Sequence, residues 1–166
     1  TTTDSTGCFA DTNAVIIEPS LIIITVSNDT SICLGDSVQL IASGATNYSW
    51  VPISSLSNPN ISNPIAFPTI NTTYTVTGSN YNGCSKIDSV TVNINSLPTA
   101  TVSNDTIICI GDTITLTAGG GNNYEWSPDS TLSDAFIANP NAFPSVSATY
   151  QVIVSDLNGC SDTIGV

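Results

Sequence analysis

The stretch Thr25–Asp36, TVSNDTSICLGD, returns as Thr101–Asp112, TVSNDTIICIGD, a displacement of 101 − 25 = 76 residues. The same offset holds along the chain without a gap. Trp50 falls on Trp126, Asn63-Pro64 on Asn139-Pro140, Tyr74 on Tyr150, and Asn82-Gly83-Cys84 on Asn158-Gly159-Cys160. Roughly half of the aligned positions are identical, so the chain is an internal repeat and each unit must be one structural module. Gly7-Cys8 aligns with Gly83-Cys84, and Val166 is the counterpart of Val90. The expected division is the end of a preceding repeat at 1–19, one repeat at 20–96 and another at 97–166, a window from a longer tandem array. A unit this short buries only about 60% of its unfolded surface. Cross-links or stacking on a neighbour would help it.

The surface is acidic. The formal net charge is −12, with one basic residue, Lys86, and no Arg or His. Nothing in such a chain neutralises phosphates, so nucleic acid is excluded as a partner, and anionic membrane surfaces for the same reason. The acids are scattered, which reads as a solvated, repulsive surface. The longest obvious apolar run, Leu21–Ile24, is far short of the roughly 20 residues of a membrane span, so no membrane insertion is expected.

The periodicity is that of strands. Val38, Leu40 and Ala42 alternate with Ser37, Gln39 and Ile41; Ile114, Leu116 and Ala118 alternate with Thr113, Thr115 and Thr117. Tyr48 and Trp50, Tyr74 and Val76, and Val90 and Val92 repeat the pattern, giving one apolar and one polar face each. No segment repeats apolar residues at helical spacing. Leu34-Gly35-Asp36, Ser43-Gly44, Gly119-Gly120-Gly121, Asn82-Gly83 and Asn158-Gly159 supply the turns. Pro52–Pro68 reads as an irregular crossover with one short strand near Ile65–Phe67. This order predicts an all-β chain of tandem immunoglobulin-like β-sandwich domains. Trp50 takes the place of the buried Trp of the third strand, and Tyr74 that of the tyrosine corner. The central cysteines of antibody domains would fall at Ala42 and Val76, so that bridge is absent.

The shared motif runs from Asp29–Leu40 through Tyr48–Trp50, Asn63-Pro64 and Thr73–Val76 to Asn82–Cys84, and again from Asp105–Leu116 through Tyr124–Trp126, Asn139-Pro140 and Thr149–Val152 to Asn158–Cys160. It resembles the immunoglobulin-like, PKD-like repeats found in tandem in very large secreted surface proteins of Bacteroidota, of the gliding and adhesin type. The resemblance implies export by the type IX route and display on the cell surface. It does not choose a function, because such modules also occur in secreted enzymes.

Catalysis finds little support. Without His, a Ser–His or Cys–His nucleophile is impossible, and Glu125 is Ser49 in the other unit. No cofactor is expected. A weak calcium site is conceivable at Asp156, Asn158 and Asp162, whose first-unit counterparts are Asn80, Asn82 and Lys86. Asp-hydroxyl-aliphatic triplets make Ser37, Ser89, Thr106, Thr113 and Thr163 candidates for O-glycosylation, since they match the acceptor pattern of the phylum the repeats resemble; ordinary turn-into-strand sequence explains them equally well. Asn28, Asn47, Asn60, Asn71 and Asn104 head Asn-x-Ser/Thr sequons.

Five cysteines at regular spacing, without a metal-type C-x-x-C pair, point to disulfides and an oxidising compartment. Two connectivities are open, and strand order favours the second, because in an immunoglobulin-like sandwich the Cys33 and Cys84 turns lie at opposite ends of the unit. Cys33–Cys84 and Cys109–Cys160, each 51 apart, would staple single units, at about 4 kcal/mol in the loop-entropy model. End-to-end stacking would instead give Cys33–Cys160, with Cys8, Cys84 and Cys109 bonding to units outside the sequence. The expected function is a structural or adhesive extracellular rod or filament segment. Its partners would be neighbouring repeats, further copies in a filament, and surface or glycan ligands. The alternative is a carbohydrate- or ligand-binding accessory module of a secreted enzyme, which an exposed aromatic cluster confined to one unit would favour.

Overall fold

A computed structural model describes residues 21–166 and, before them, the paired two-residue strands β1 (Thr2–Thr3) and β2 (Phe9–Ala10). Every regular element among the described residues is a strand.

The first repeat contains β3 (Thr25–Val26), β4 (Thr30–Cys33), β5 (Val38–Gln39), β6 (Ala42–Ser43), β7 (Asn47–Val51), β8 (Ile65–Ala66), β9 (Thr72–Ser79) and β10 (Ser85–Asn95). These form two layers. In one, β3 pairs with β6 and β5 with β8, all antiparallel. Hydrogen bonds from Leu40 N–H to the Pro64 carbonyl and from Ala42 N–H to the Ser62 carbonyl carry the β5–β8 register onward, so residues 38–43 are one strand in all but name. The interruption has a simple cause. Pro64 accepts from Leu40 but has no N–H to return.

The other layer has the order β4-β10-β9-β7. Here β10 is antiparallel to β9, β9 is antiparallel to β7, and β4 runs parallel to β10. The alternating positions read from sequence point between the layers. Leu40, Ala42 and Ala66 from one side meet Trp50, Tyr74, Val76, Val90 and Val92 from the other. Trp50 is completely buried, and its indole N–H reaches the Ile61 carbonyl at 2.9 Å, so the one polar atom on the largest core side chain is satisfied. Ala42 and Val76, at the positions of the antibody cysteines, are both buried.

The second repeat follows the same plan with β11 (Thr101–Val102), β12 (Ile114–Thr115), β13 (Ala118–Gly119), β14 (Asn123–Ser127), β15 (Asn141–Ala142), β16 (Gln151–Ser155) and β17 (Ser161–Gly165). It has its own core of Leu116, Trp126, Leu132, Ala142, Tyr150, Val152 and Val154, with the Trp126 indole N–H on the Ile137 carbonyl at 3.0 Å. Two facing sheets of this strand order make the immunoglobulin-like sandwich.

Three expectations are refined. The first strand is split: β3 lies in one layer and β4 in the other, with Asn28-Asp29 between them. The Tyr74 hydroxyl does not return to nearby backbone as in a tyrosine corner; it bonds the Ser55 hydroxyl at 2.5 Å, and Tyr150 bonds Thr131 at 2.6 Å. In both units a side-chain hydroxyl in the crossover already sits where the phenol arrives, so the tyrosine ties the crossover to the sheet. In the Asn82-Gly83 turn only Gly83 has positive φ, 81°.

Candidate functional site

The chemistry-bearing residues that the fold brings together are two cysteines from different repeats. Cys33 ends β4 opposite Asn95, the last residue of β10, and the turn is closed by Asp36 N–H on the Cys33 carbonyl at 3.0 Å. Because β4 is parallel to β10, Cys33 lies at the end from which the chain leaves for the second repeat. Cys84 precedes Ser85 at the other end of β10. Ten residues of strand separate those ends, about 33 Å at 3.3 Å per residue. A bridge needs Cα atoms within about 7 Å, so the within-unit connectivity is excluded by the length of one strand.

Cys160 comes from the last hairpin of the second repeat. The Asp156 carboxylate accepts from the N–H groups of Asn158 and Cys160, both at 2.9 Å, and Gly159 takes the positive φ of 82° that closes the loop. This holds Cys160 inward at 1% exposure. Cys33 and Cys160 form a disulfide with Cα atoms 5.5 Å apart. The between-unit connectivity is therefore the one present. Cys84 and Cys109 are free thiols, the first half-buried and the second exposed; Cys8 lies outside the described residues.

The peptide connection runs beside this bond. Leu34 N–H bonds the Asn95 carbonyl at 2.8 Å, fastening the end of β10 to the Cys33 turn. The incoming strand of the second repeat is gripped from two sides. Ala100 N–H donates to the Asp162 carboxylate at 3.2 Å, and the Thr99 carbonyl packs against Gly120, where a built Cβ would lie 1.9 Å from it. Gly120 has φ 101°, so a side chain there is opposed by the backbone as well as by the neighbour.

Asp156 and Asp162 thus spend their carboxylate oxygens on backbone N–H groups, and Asn158 donates its side-chain amide to Asp156 at 3.3 Å. Among the described residues no three His, Cys, Asp or Glu side chains gather as metal ligands. Ser37, Ser89, Thr106, Thr113 and Thr163 are all exposed. Sequence reasoning missed Asp29 and Asn71, which accept from Thr91 N–H at 2.8 Å and Ile94 N–H at 2.7 Å and so hold β10 along its edge. The recurring Asn-Asp-Thr motif was the available signal for Asp29.

No protein-family model and no curated protein matches the chain. Solved structures do. Insect hemolin is similar over 85% of this chain and 44% of its own, with 16% identity and a TM-score of 0.41. DIP-gamma IG1+IG2 matches 86% of this chain and 95% of its own at 12% identity and TM-score 0.36. Murine CEACAM1b matches 87% and 98% at 13% identity and TM-score 0.35. The chain spans less than half of hemolin. Likeness at this level carries no functional argument, and the immunoglobulin-like assignment stands on the strand order itself.

Proposed function

We propose that this chain is a stretch of an extracellular rod on a bacterial surface, built of tandem immunoglobulin-like repeats at 20–96 and 97–166 after the end of another at 1–19. Its work is mechanical spacing or adhesion without catalytic turnover. The observation that carries this reading is the Cys33–Cys160 bond. A covalent tie between successive repeats, alongside their peptide link, restrains bending, which a spacer needs and an independent binding module does not. The linker Asn95–Thr99 is short and contains Pro98, which stiffens it further. Both Trp residues are core, and the exposed Phe67 and Phe143 occupy equivalent places in the two units. That recurrence speaks against a sugar-binding face elaborated on one unit, although Tyr81 and Phe136 are exposed in one unit each.

Small-angle scattering tests the rod. Recombinant arrays of two, four and six repeats are expected to show a maximum dimension that grows linearly with repeat number; compact or freely hinged particles would overturn the reading. We also propose O-glycans on one or more of Ser37, Ser89, Thr106, Thr113 and Thr163, all exposed. Intact mass spectrometry of native material is expected to exceed the polypeptide mass by whole sugar increments, and the bare mass would dispose of the idea.

A further inference from the structure

Cys33 is the last residue of β4, and Cys160 stands immediately before β17. The bond between them therefore joins the N-terminal strands of the first repeat to the last strand of the second. The loop it closes has a sequence separation of 127 residues. Inside that loop lie the buried cores of both repeats, Trp50, Tyr74, Trp126 and Tyr150 among them; of the buried core residues only Ile22 and Ile24 precede it.

Tension follows the covalent path. A pull on any residue before Cys33 against any residue after Cys160 passes along β4, across the two sulfur atoms and into β17. Residues 34–159 carry none of it, so neither core is drawn out, whatever the strength of its hydrogen bonds. With the bond open, the same pull takes another route. It enters β4 at its N-terminal end and leaves by the C-terminal end of β10, towards the second repeat. These strands are parallel, in register from Thr30 beside Val92 to Cys33 beside Asn95. Opposed forces on a parallel pair slide one strand along the other and load the whole ladder at once. Asp29 on the Thr91 N–H and the Leu34 N–H on the Asn95 carbonyl, both at 2.8 Å, close its two ends. This ladder resists, but hydrogen bonds that can be exchanged for bonds to water yield where a covalent bond does not.

We propose that the Cys33–Cys160 bond is a thiol-sensitive lock on extension. Closed, it keeps both repeats out of the path of tension. Opened by a dithiol, it hands the tension to the β4–β10 ladder and lets the repeats unfold one after the other. The chemistry is thiol–disulfide exchange. A thiolate of the dithiol attacks the sulfur of Cys33, the half-buried side of the bond, and the buried Cys160 leaves as a thiolate that takes up a proton. The second thiol of the reagent then displaces Cys33, so the protein gains two thiols and the reagent becomes a cyclic disulfide. The source of tension rests on the rod reading; the path of tension follows from connectivity alone, so an array found freely hinged by scattering would leave the lock intact.

Optical tweezers test it on the full chain, held by peptide tags at its two ends with the free thiols alkylated. Without reductant, no step that releases residues 34–159 is expected. Full extension should fall about 430 Å short of that of the reduced chain, from roughly 3.4 Å for each residue of the loop. With dithiothreitol present at constant force, the missing length is expected to appear in two steps, one for each repeat, with an onset rate proportional to the dithiothreitol concentration. Cys33→Ser is expected to extend fully without dithiothreitol and to keep the circular dichroism of the parent, since each repeat has its own core. Should that variant fail to fold, the parent with and without dithiothreitol carries the test on its own. A non-reduced chain that reaches the reduced length, a reduced chain no longer than the non-reduced one, or an onset independent of dithiothreitol would each overturn the proposal.

Discussion

Trp50 shows how much one side chain does in this fold. It is wholly buried near the end of β7, pairs with Val76 of β9, and uses its only polar side-chain atom on the Ile61 carbonyl. Trp126 repeats the arrangement opposite Val152. Trp50→Ala is expected to cost the first repeat about 3–5 kcal/mol, the range for emptying a large aromatic site. Thermal or chemical unfolding followed by circular dichroism checks this, with emission of the remaining Trp126 marking the transition of the second repeat separately. A melt of the first repeat unchanged to within about 0.5 kcal/mol, the usual effect of a surface substitution, would contradict the placement. This residue was legible in sequence: alternation Tyr-Ser-Trp gave its face, and the repeat gave its equivalence. The hydroxyl partners of Tyr74 and Tyr150 were not legible, since Ser55 and Thr131 sit in a proline-rich crossover whose path no periodicity encodes.

Among the elements, the division of the first strand into β3 and β4 governs the rest. The alternation of residues 25–33 is too short to show a change of layer. The change is enforced by contacts far away in sequence: Ser27 N–H bonds Ile41 in one layer, while Asp29 already accepts from Thr91 in the other. Asp29→Ala should loosen the start of the β4–β10 pairing by about 0.5–1.5 kcal/mol, the net worth of one hydrogen bond. Hydrogen exchange at Thr91 measures it; the expected outcome is faster exchange there, with the β7–β9 ladder unaffected. Equal acceleration throughout the sheet would show that Asp29 acts on the whole unit instead of on one edge.

For the whole molecule, the account rests on connectivity. The all-β strand order, and the placement of the Cys33 and Cys84 turns at opposite ends of a unit, follow from sequence because both depend on period and turn spacing. The between-unit bridge is favoured by the same strand order, and the direction in which β4 runs beside β10 makes it definite. The bond joins residues 127 apart, a cross-link worth about 5 kcal/mol in the loop-entropy model when both repeats unfold together. Its larger consequence is geometric, since the second repeat is then held at two points. Digestion of the non-reduced chain before Asp residues tests this most directly, as it frees each cysteine turn on a separate peptide. The account predicts Asp29–Gly35 linked to Asp156–Ser161, with the Cys109 peptide Asp105–Gly111 unlinked to either. Recovery of Asp29–Gly35 joined to the Cys84 peptide, or of Asp105–Gly111 joined to Asp156–Ser161, would contradict it.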